Sequence, residues 1–254
     1  MASEFEGPRT AIVTGGARRI GAAICRALAE DGWHVLIHCN RSIDEAKTLA
    51  ADLGNASVVR AELAEADAAD RVFAGLEGLP PLRLLVNNAS RFAFDAADAF
   101  TAEGWDVHQA VNVRAPALLS QRFVKEAPGG GLIVNLLDAK LCQPNPDYYS
   151  YTIAKAGLAA LTDLCARAWA DRAIRVCGIA PAVTLVSGPQ EPGQFERVHA
   201  LNPLRRGVRP DDIAAALRFL IATPTITGQT IILDAGQRFL GLTRDVQFLE
   251  TDVG

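Results

Sequence analysis

Tyr151 and Lys155 stand four residues apart in YTIAK, so on a helix they share one face, one turn apart. An ammonium beside a phenol lowers the phenol's pKa and lets it give or take a proton nearer neutrality. A second stretch with chemical content is TGGARRIG (14–21), directly after the apolar run Thr10 to Val13. Gly15 and Gly16 permit unusual dihedrals there, and the helix that follows offers free N–H groups and a positive dipole end to a phosphate. Arg19 is out of place, because it occupies the middle of a turn that normally wants glycine between Gly15 and Gly21. A third candidate, Asp138, ends the apolar run GLIVNLL and precedes Tyr151 by thirteen residues.

These side chains need a scaffold, and the hydrophobic pattern supplies one. Short runs rich in β-branched residues predict seven strands: TAIVT (10–14), HVLIHC (34–39), SVVRAEL (57–63), RLLVNNA (83–89), GLIVNLL (131–137), IRVCGIA (174–180) and QTIILDA (229–235). Between them lie amphipathic segments such as IGAAICRALAEDG, apolar at spacings of three and four and closed by Gly. Alternating β and α of this kind predicts a single-domain α/β fold over residues 1–254, a doubly wound (Rossmann) parallel seven-stranded sheet with helices on both faces. In such a sheet ligands bind at the carboxyl ends of the strands, where all three candidates fall. The Pro/Gly-rich SGPQEPG (187–193) predicts a long loop over the active site.

Composition narrows the classes of function. With 254 residues, half of them hydrophobic, the chain suffices for one large core. A formal charge of -4 and no Lys/Arg run argue against a nucleic-acid partner. The N-terminal MASEFEGPRT has no apolar leader, and no stretch reaches the roughly 18 apolar residues of a membrane span, which predicts a cytoplasmic protein without a membrane partner. Five scattered cysteines without CxxC spacing fit reduced thiols, and the four histidines form no metal pattern.

TGGARRIG, NNAS (87–90), VNVRAP (111–116), YTIAK, IAPA after the sixth strand and ITGQTIILDAG (226–236) together resemble the short-chain dehydrogenase/reductase family over nearly the whole chain. The resemblance implies a nicotinamide cofactor on the glycine turn, with Tyr151 as general acid, Lys155 as ribose ligand and Asn112 as structural and proton-relay asparagine. It also implies cofactor contacts from Thr14, Gly15, Arg19, Ile20, Gly21, Asn40, Arg41, Ser42, Glu62, Leu63, Asn88, Ala89, Ser90, Tyr151, Lys155 and Pro181. Arg41 and Ser42 stand where a 2′-phosphate would be met, which makes NADPH the expected cofactor. A homotetramer is the family's usual assembly, and the C-terminal extension (237–254) is expected to reach a neighbouring subunit's site.

Two departures carry more information than these matches. Arg19 stands where most members have Gly, and Asp138 where most have the Ser that polarises a ketone. An ionised carboxylate beside a ketone oxygen repels the charge that hydride transfer creates there, whereas a C=N group needs a proton and its neighbouring N–H groups need an acceptor. Both departures together resemble the pteridine reductase branch, which implies a dihydropterin or folate substrate. In that branch Phe92 would stack on the pterin, Ser90 would lie near the cofactor phosphates and the pterin, and Arg19, Asp138 and Tyr151 would complete the substrate site. Pro181-Ala182, Asp234-Ala235-Gly236 and Glu62 depart from common family residues, and the substrate loop (about 183–202) contains no residue assigned a role. A Tyr-dependent carbonyl reductase and a non-enzymatic NADP(H)-binding sensor stand as alternatives.

Overall fold

In the computed structural model the described residues are 5–186 and 193–248. Seven strands form one parallel sheet: β1 (Thr10–Val13), β2 (His34–Cys39), β3 (Ala56–Arg60), β4 (Leu82–Asn87), β5 (Gly131–Leu136), β6 (Ile174–Pro181) and β7 (Thr230–Leu233). Their spatial order is β3-β2-β1-β4-β5-β6-β7. The doubly wound fold expected from the alternation is therefore present, with each strand within a few residues of its expected span. The largest difference is at β3, which stops at Arg60 because residues 61–63 turn away from β2 instead of extending the ladder.

The period-two alternation of each strand feeds two separate cores. Ala11 and Val13, Leu84 and Val86, and Leu132 and Val134 face one side, against Ile24 and Leu28 of α1 (Arg19–Glu30), Leu49 of α2 (Ile43–Leu53) and Leu217 of α8 (Pro210–Ala222). Ile12, Leu85 and Ile133 face the other, against Phe73 of α3 (Ala68–Ala74), Phe123 of α5 (Ala115–Glu126) and Cys165 of α6 (Tyr149–Trp169). Each fully buried Val, Leu or Ile contributes about 1.5–3 kcal/mol relative to exposure, so the two layers together fix the sheet. Among the described residues the remaining α-helices are α4 (Ala102–Gln109) and α7 (Gln194–His199).

The strand order reverses between β1 and β4, because the chain leaves through β2 and β3 and then crosses back. Their carboxyl ends therefore diverge into helices on opposite faces and open the crevice in which such folds bind ligands. No helix among the described residues is long and apolar enough to cross a membrane.

Candidate active site

Thr14 closes the floor of the crevice. Its buried Oγ1 accepts hydrogen bonds from the backbone N–H of Asn88 (2.9 Å) and Ala89 (3.0 Å) beyond β4. The Asn88 amide returns bonds to the Thr14 and Gly15 carbonyls at 2.8 and 3.1 Å. Gly15 has φ +61°, and a Cβ at Gly21 would lie 2.2 Å from the Gly15 oxygen, so only glycine lets α1 begin this close to the turn. Arg19, where a glycine was expected, adopts φ +56° and sends Nη1 2.7 Å to the carbonyl of Val186. A left-handed non-glycine residue at the mouth of a crevice is held there by its surroundings, and such strain concentrates at functional sites.

The long helix α6 faces the sheet with Tyr151, Lys155, Leu158, Thr162 and Cys165, spaced alternately by four and three. That period brings the phenol and the ammonium into one buried pocket, the Lys155 Nζ 5.7 Å from the Tyr151 ring centre and 2.6 Å from the Leu136 carbonyl at the end of β5. The Tyr151 hydroxyl donates to Asp138 Oδ2 at 2.7 Å, and Asp138 Oδ1 accepts the Lys140 backbone N–H at 2.8 Å. The direction of tuning expected from the sequence is reversed. Burial first, and then the Asp138 charge, hold the phenol well above its usual pKa. Burial lowers Lys155 to about 8, against the pull of Asp138. The phenol is thus kept protonated, as a donor, and the neighbouring ammonium does not make it acidic.

Asn112 lies in a π turn, Ala110–Arg114, inserted between α4 and α5. Its Oδ1 accepts from the Arg91 N–H (2.9 Å) and the Ser90 hydroxyl (3.1 Å), and its Nδ2 donates to the Arg91 carbonyl at 2.9 Å. The buried amide therefore clamps the loop that presents Phe92. Phe92 is 39% exposed, stacks on Tyr148 with centroids 4.2 Å apart, and meets the edge of Tyr151 at 4.8 Å.

Arg19, Ile20, Asn88, Ser90, Phe92, Asp138, Tyr151, Lys155 and Pro181 line one cavity of about 280 Å³. Asn40, Arg41, Ser42, Glu62 and Leu63 lie outside it, beyond the ends of β2 and β3. There the Asn40 amide bonds the Glu62 carboxylate, Arg41 is exposed, and Leu63 is buried in the second core. Of the expected substrate loop, residues 187–192 lie outside the described residues, as do residues 249–254 of the C-terminal extension.

A profile described as Enoyl-(Acyl carrier protein) reductase matches residues 15–238. The chain belongs to the short-chain dehydrogenase/reductase family. Among related sequences, the 3-oxoacyl-acyl-carrier-protein reductase of Synechocystis is 30% identical over 240 residues, 90% of this chain and 96% of that protein. Among solved structures, FolM Alternative dihydrofolate reductase 1 from Brucella suis in complex with NADP superposes with a TM-score of 0.87 at 42% identity, covering 91% of this chain and 95% of that one. The angucycline C-6 ketoreductase LanV with bound NADP gives 0.84 at 31% identity, covering 91% and 96%. The cofactor expected from the sequence is thus the one with which these short-chain reductases were crystallised.

Several residues at the site carry no signal in the family motifs. His38, within the β2 run, is buried beneath the glycine turn, where its Nδ1 accepts the Gly15 N–H at 3.1 Å and its Nε2 donates to the Ala61 carbonyl at 3.1 Å. Residues 242–247 return along the cavity of their own chain. Asp147 anchors this return, its carboxylate accepting Arg244 Nε at 2.8 Å and the Asp245 N–H at 2.7 Å. The Tyr148 hydroxyl donates to Gln247 Oε1 at 2.9 Å, and Phe248 lies 6.0 Å from the Tyr148 ring. Residues 244–248 therefore pack against the cavity of their own chain.

Proposed function

We propose that this oxidoreductase reduces dihydropterins, including folates, to the tetrahydro state with NADPH. The 2.7 Å hydrogen bond from Tyr151 to Asp138 carries the reading. A carboxyl group shares the phenol's proton where ketone-reducing members of the family are expected to have a hydroxyl. Bound NADPH supplies the hydride. Tyr151, kept protonated by burial, gives the proton that a ring nitrogen requires as its C=N bond is reduced. Asp138 accepts the N–H groups of the guanidine-like ring, and Phe92, backed by Tyr148, offers that ring a flat surface. Arg19 contributes a planar fork of donors at the cavity mouth.

The glycine cradle fits a cofactor pyrophosphate, since its floor is bonded through Thr14, Asn88 and Ala89 and a side chain at Gly21 would close it. Beyond β2, exposed Arg41 beside Ser42, with Glu62 engaged by Asn40, favours a 2′-phosphate over a free ribose diol. Lys155, Tyr151 and Pro181 would flank the nicotinamide end. The similarity to the Brucella FolM structure supports the pterin reading.

A second reading, a Tyr-dependent carbonyl reductase, is supported by the ketoreductases among the relatives. NADPH oxidation measured side by side with dihydrobiopterin, dihydromonapterin, dihydrofolate and a panel of ketones separates the two. Turnover is expected with the pterins, and with NADPH in preference to NADH. A protein that reduces ketones well and ignores every pterin performs the second function.

A further inference from the structure

The helix that carries Tyr151 begins without a cap of its own. Its N-cap position is Tyr148, whose side chain makes no capping hydrogen bond, although the free N–H groups of a first turn are normally met by the side chain at that position. Asp95, from the loop that follows β4, takes them instead. Its Oδ1 accepts the Ser150 N–H at 3.0 Å and its carbonyl accepts the Tyr149 N–H at 3.3 Å, so a residue 55 positions upstream of Ser150 closes the turn. The carboxylate also sits at the positive end of a helix 21 residues long.

With the cap supplied from outside, Tyr148 makes different contacts. It adopts φ +52°, a left-handed conformation uncommon for a bulky residue, and its ring lies against the same loop. Phe92 stacks on that ring with centroids 4.2 Å apart and planes at 17°, and Phe94 meets it edge-on at 5.4 Å. The near end of the loop is held by Asn112, which bonds both the N–H and the carbonyl of Arg91. Phe92 therefore lies between two fixed points, Arg91 just before it and Asp95 three residues after it.

We propose that Asp95 is a positioning residue for the substrate ring. By capping α6 from the loop it ties Phe92 to the helix that bears Tyr151, so that the flat surface offered to the substrate and the phenol that gives the proton keep their 4.8 Å contact. The inference rests on Phe92 meeting the substrate, as under the proposed function. A stacking surface strengthens binding most when it is already in place, because ordering a loose loop on binding subtracts from affinity. The cofactor cradle is built from other bonds, those joining Thr14 and Gly15 to Asn88, so the tether acts on the substrate and not on NADPH.

Asp95→Ala keeps the carbonyl that meets Tyr149 and removes only the carboxylate, whereas Asp95→Asn keeps an oxygen able to cap. In Asp95→Ala the KM for dihydropterin is expected to rise about fivefold, the equivalent of one lost cap, with kcat within about twofold of wild type and NADPH affinity unchanged. Asp95→Asn should recover most of the loss. The deciding measurement pairs the change with Phe92→Ala: once the ring is gone, Asp95→Ala should raise KM no further, whereas the effects of independent sites multiply. Hydrogen exchange gives a readout without substrate, because the Tyr149 amide should exchange faster in Asp95→Ala even though its own acceptor is retained. Circular dichroism confirms folding, and Asp95→Glu, which displaces the carboxylate by one methylene, carries the test if Asp95→Ala is not folded. Effects that multiply in the double variant, a fall in kcat with KM unchanged, or wild-type exchange at Tyr149 overturns the proposal. If the wild type reduces ketones and no pterin, the same cycle is run with the ketone it turns over: a KM effect coupled to Phe92 leaves this inference standing and removes the pterin reading, and an uncoupled one overturns both.

Discussion

The Gly15 amide points down into the Nδ1 of His38, 3.1 Å away, so a histidine side chain under the sheet holds the phosphate-facing turn. Because Nε2 donates to Ala61 at the same time, the ring serves both partners only as the neutral Nε2–H tautomer. Burial is the main cause of its lowered pKa, partly opposed by the Ala61 bond and the Glu62 charge.

Acidification should therefore loosen the turn. The folded protein binds this proton less readily than an unfolded histidine, whose pKa is about 6.5. The stability that neutral His38 contributes is fully present above that pH and is lost as pH falls through it toward the folded value. Melting curves of wild type and His38→Gln should converge between pH 7.5 and pH 5.5, since the glutamine does not titrate. A melting-temperature difference independent of pH would refute the role given to this ring.

Arg19→Gly separates strain from chemistry. Glycine accepts φ +56° without the roughly 1–2 kcal/mol that left-handed geometry costs an L-residue. Thermal stability should stay level or rise by a few degrees even though the bond to Val186 is lost. Substrate KM should rise about tenfold or more, because the guanidinium is gone from the cavity mouth. A drop in both stability and affinity would mark Arg19 as structural.

Phe92→Ala should weaken dihydropterin binding roughly tenfold, in line with about 0.5–1.5 kcal/mol for ring stacking beyond area burial. NADPH affinity and the melting temperature should change little, given that the ring is 39% exposed. Fluorescence titrations with each ligand check this. Loss of folding would show that stacking on Tyr148 is the ring's main duty.

Asp138→Asn should lower dihydropterin turnover by about 10² to 10⁴ with NADPH binding intact. Asp138→Ser is the sharper variant. It should lose pterin reduction and gain weak ketone reduction, because a hydroxyl next to Tyr151 polarises a carbonyl without repelling the developing negative oxygen. Unchanged pterin turnover in either variant contradicts the role given to this carboxyl.

What could be read in advance was whatever repeats or keeps register. Runs such as TAIV and GLIVNL, with side chains alternating toward two cores, announce strands, and the thirteen-residue spacing of Asp138 and Tyr151 brings both to the same cavity. His38 escaped because its partner is a backbone group across the β1–β2 pairing, where Val13 opposite Ile37 brings Gly15 over the ring. Asp245 escaped for a related reason, since its contacts to Lys140 and Asp147 span about a hundred residues and the tail has no periodicity. The upward shift of Tyr151 is not legible in the sequence because spacing reveals a neighbouring ammonium but not the burial, followed by the Asp138 charge, that raises the phenol.

The π turn at Ala110–Arg114 is a single surplus residue wound into an otherwise helical ladder. One residue of α-helix is about 100° of rotation, so the surplus works as a phase shift between α4 and α5. It turns Asn112 onto the Arg91 backbone while letting both helices keep their apolar faces on the protein. Excising one residue from this turn would leave the hydrophobic pattern of α5 readable but aim a different side chain at the Phe92 loop. In an alignment of relatives, a one-residue gap here therefore signals a re-aimed active site, not harmless drift in a loop.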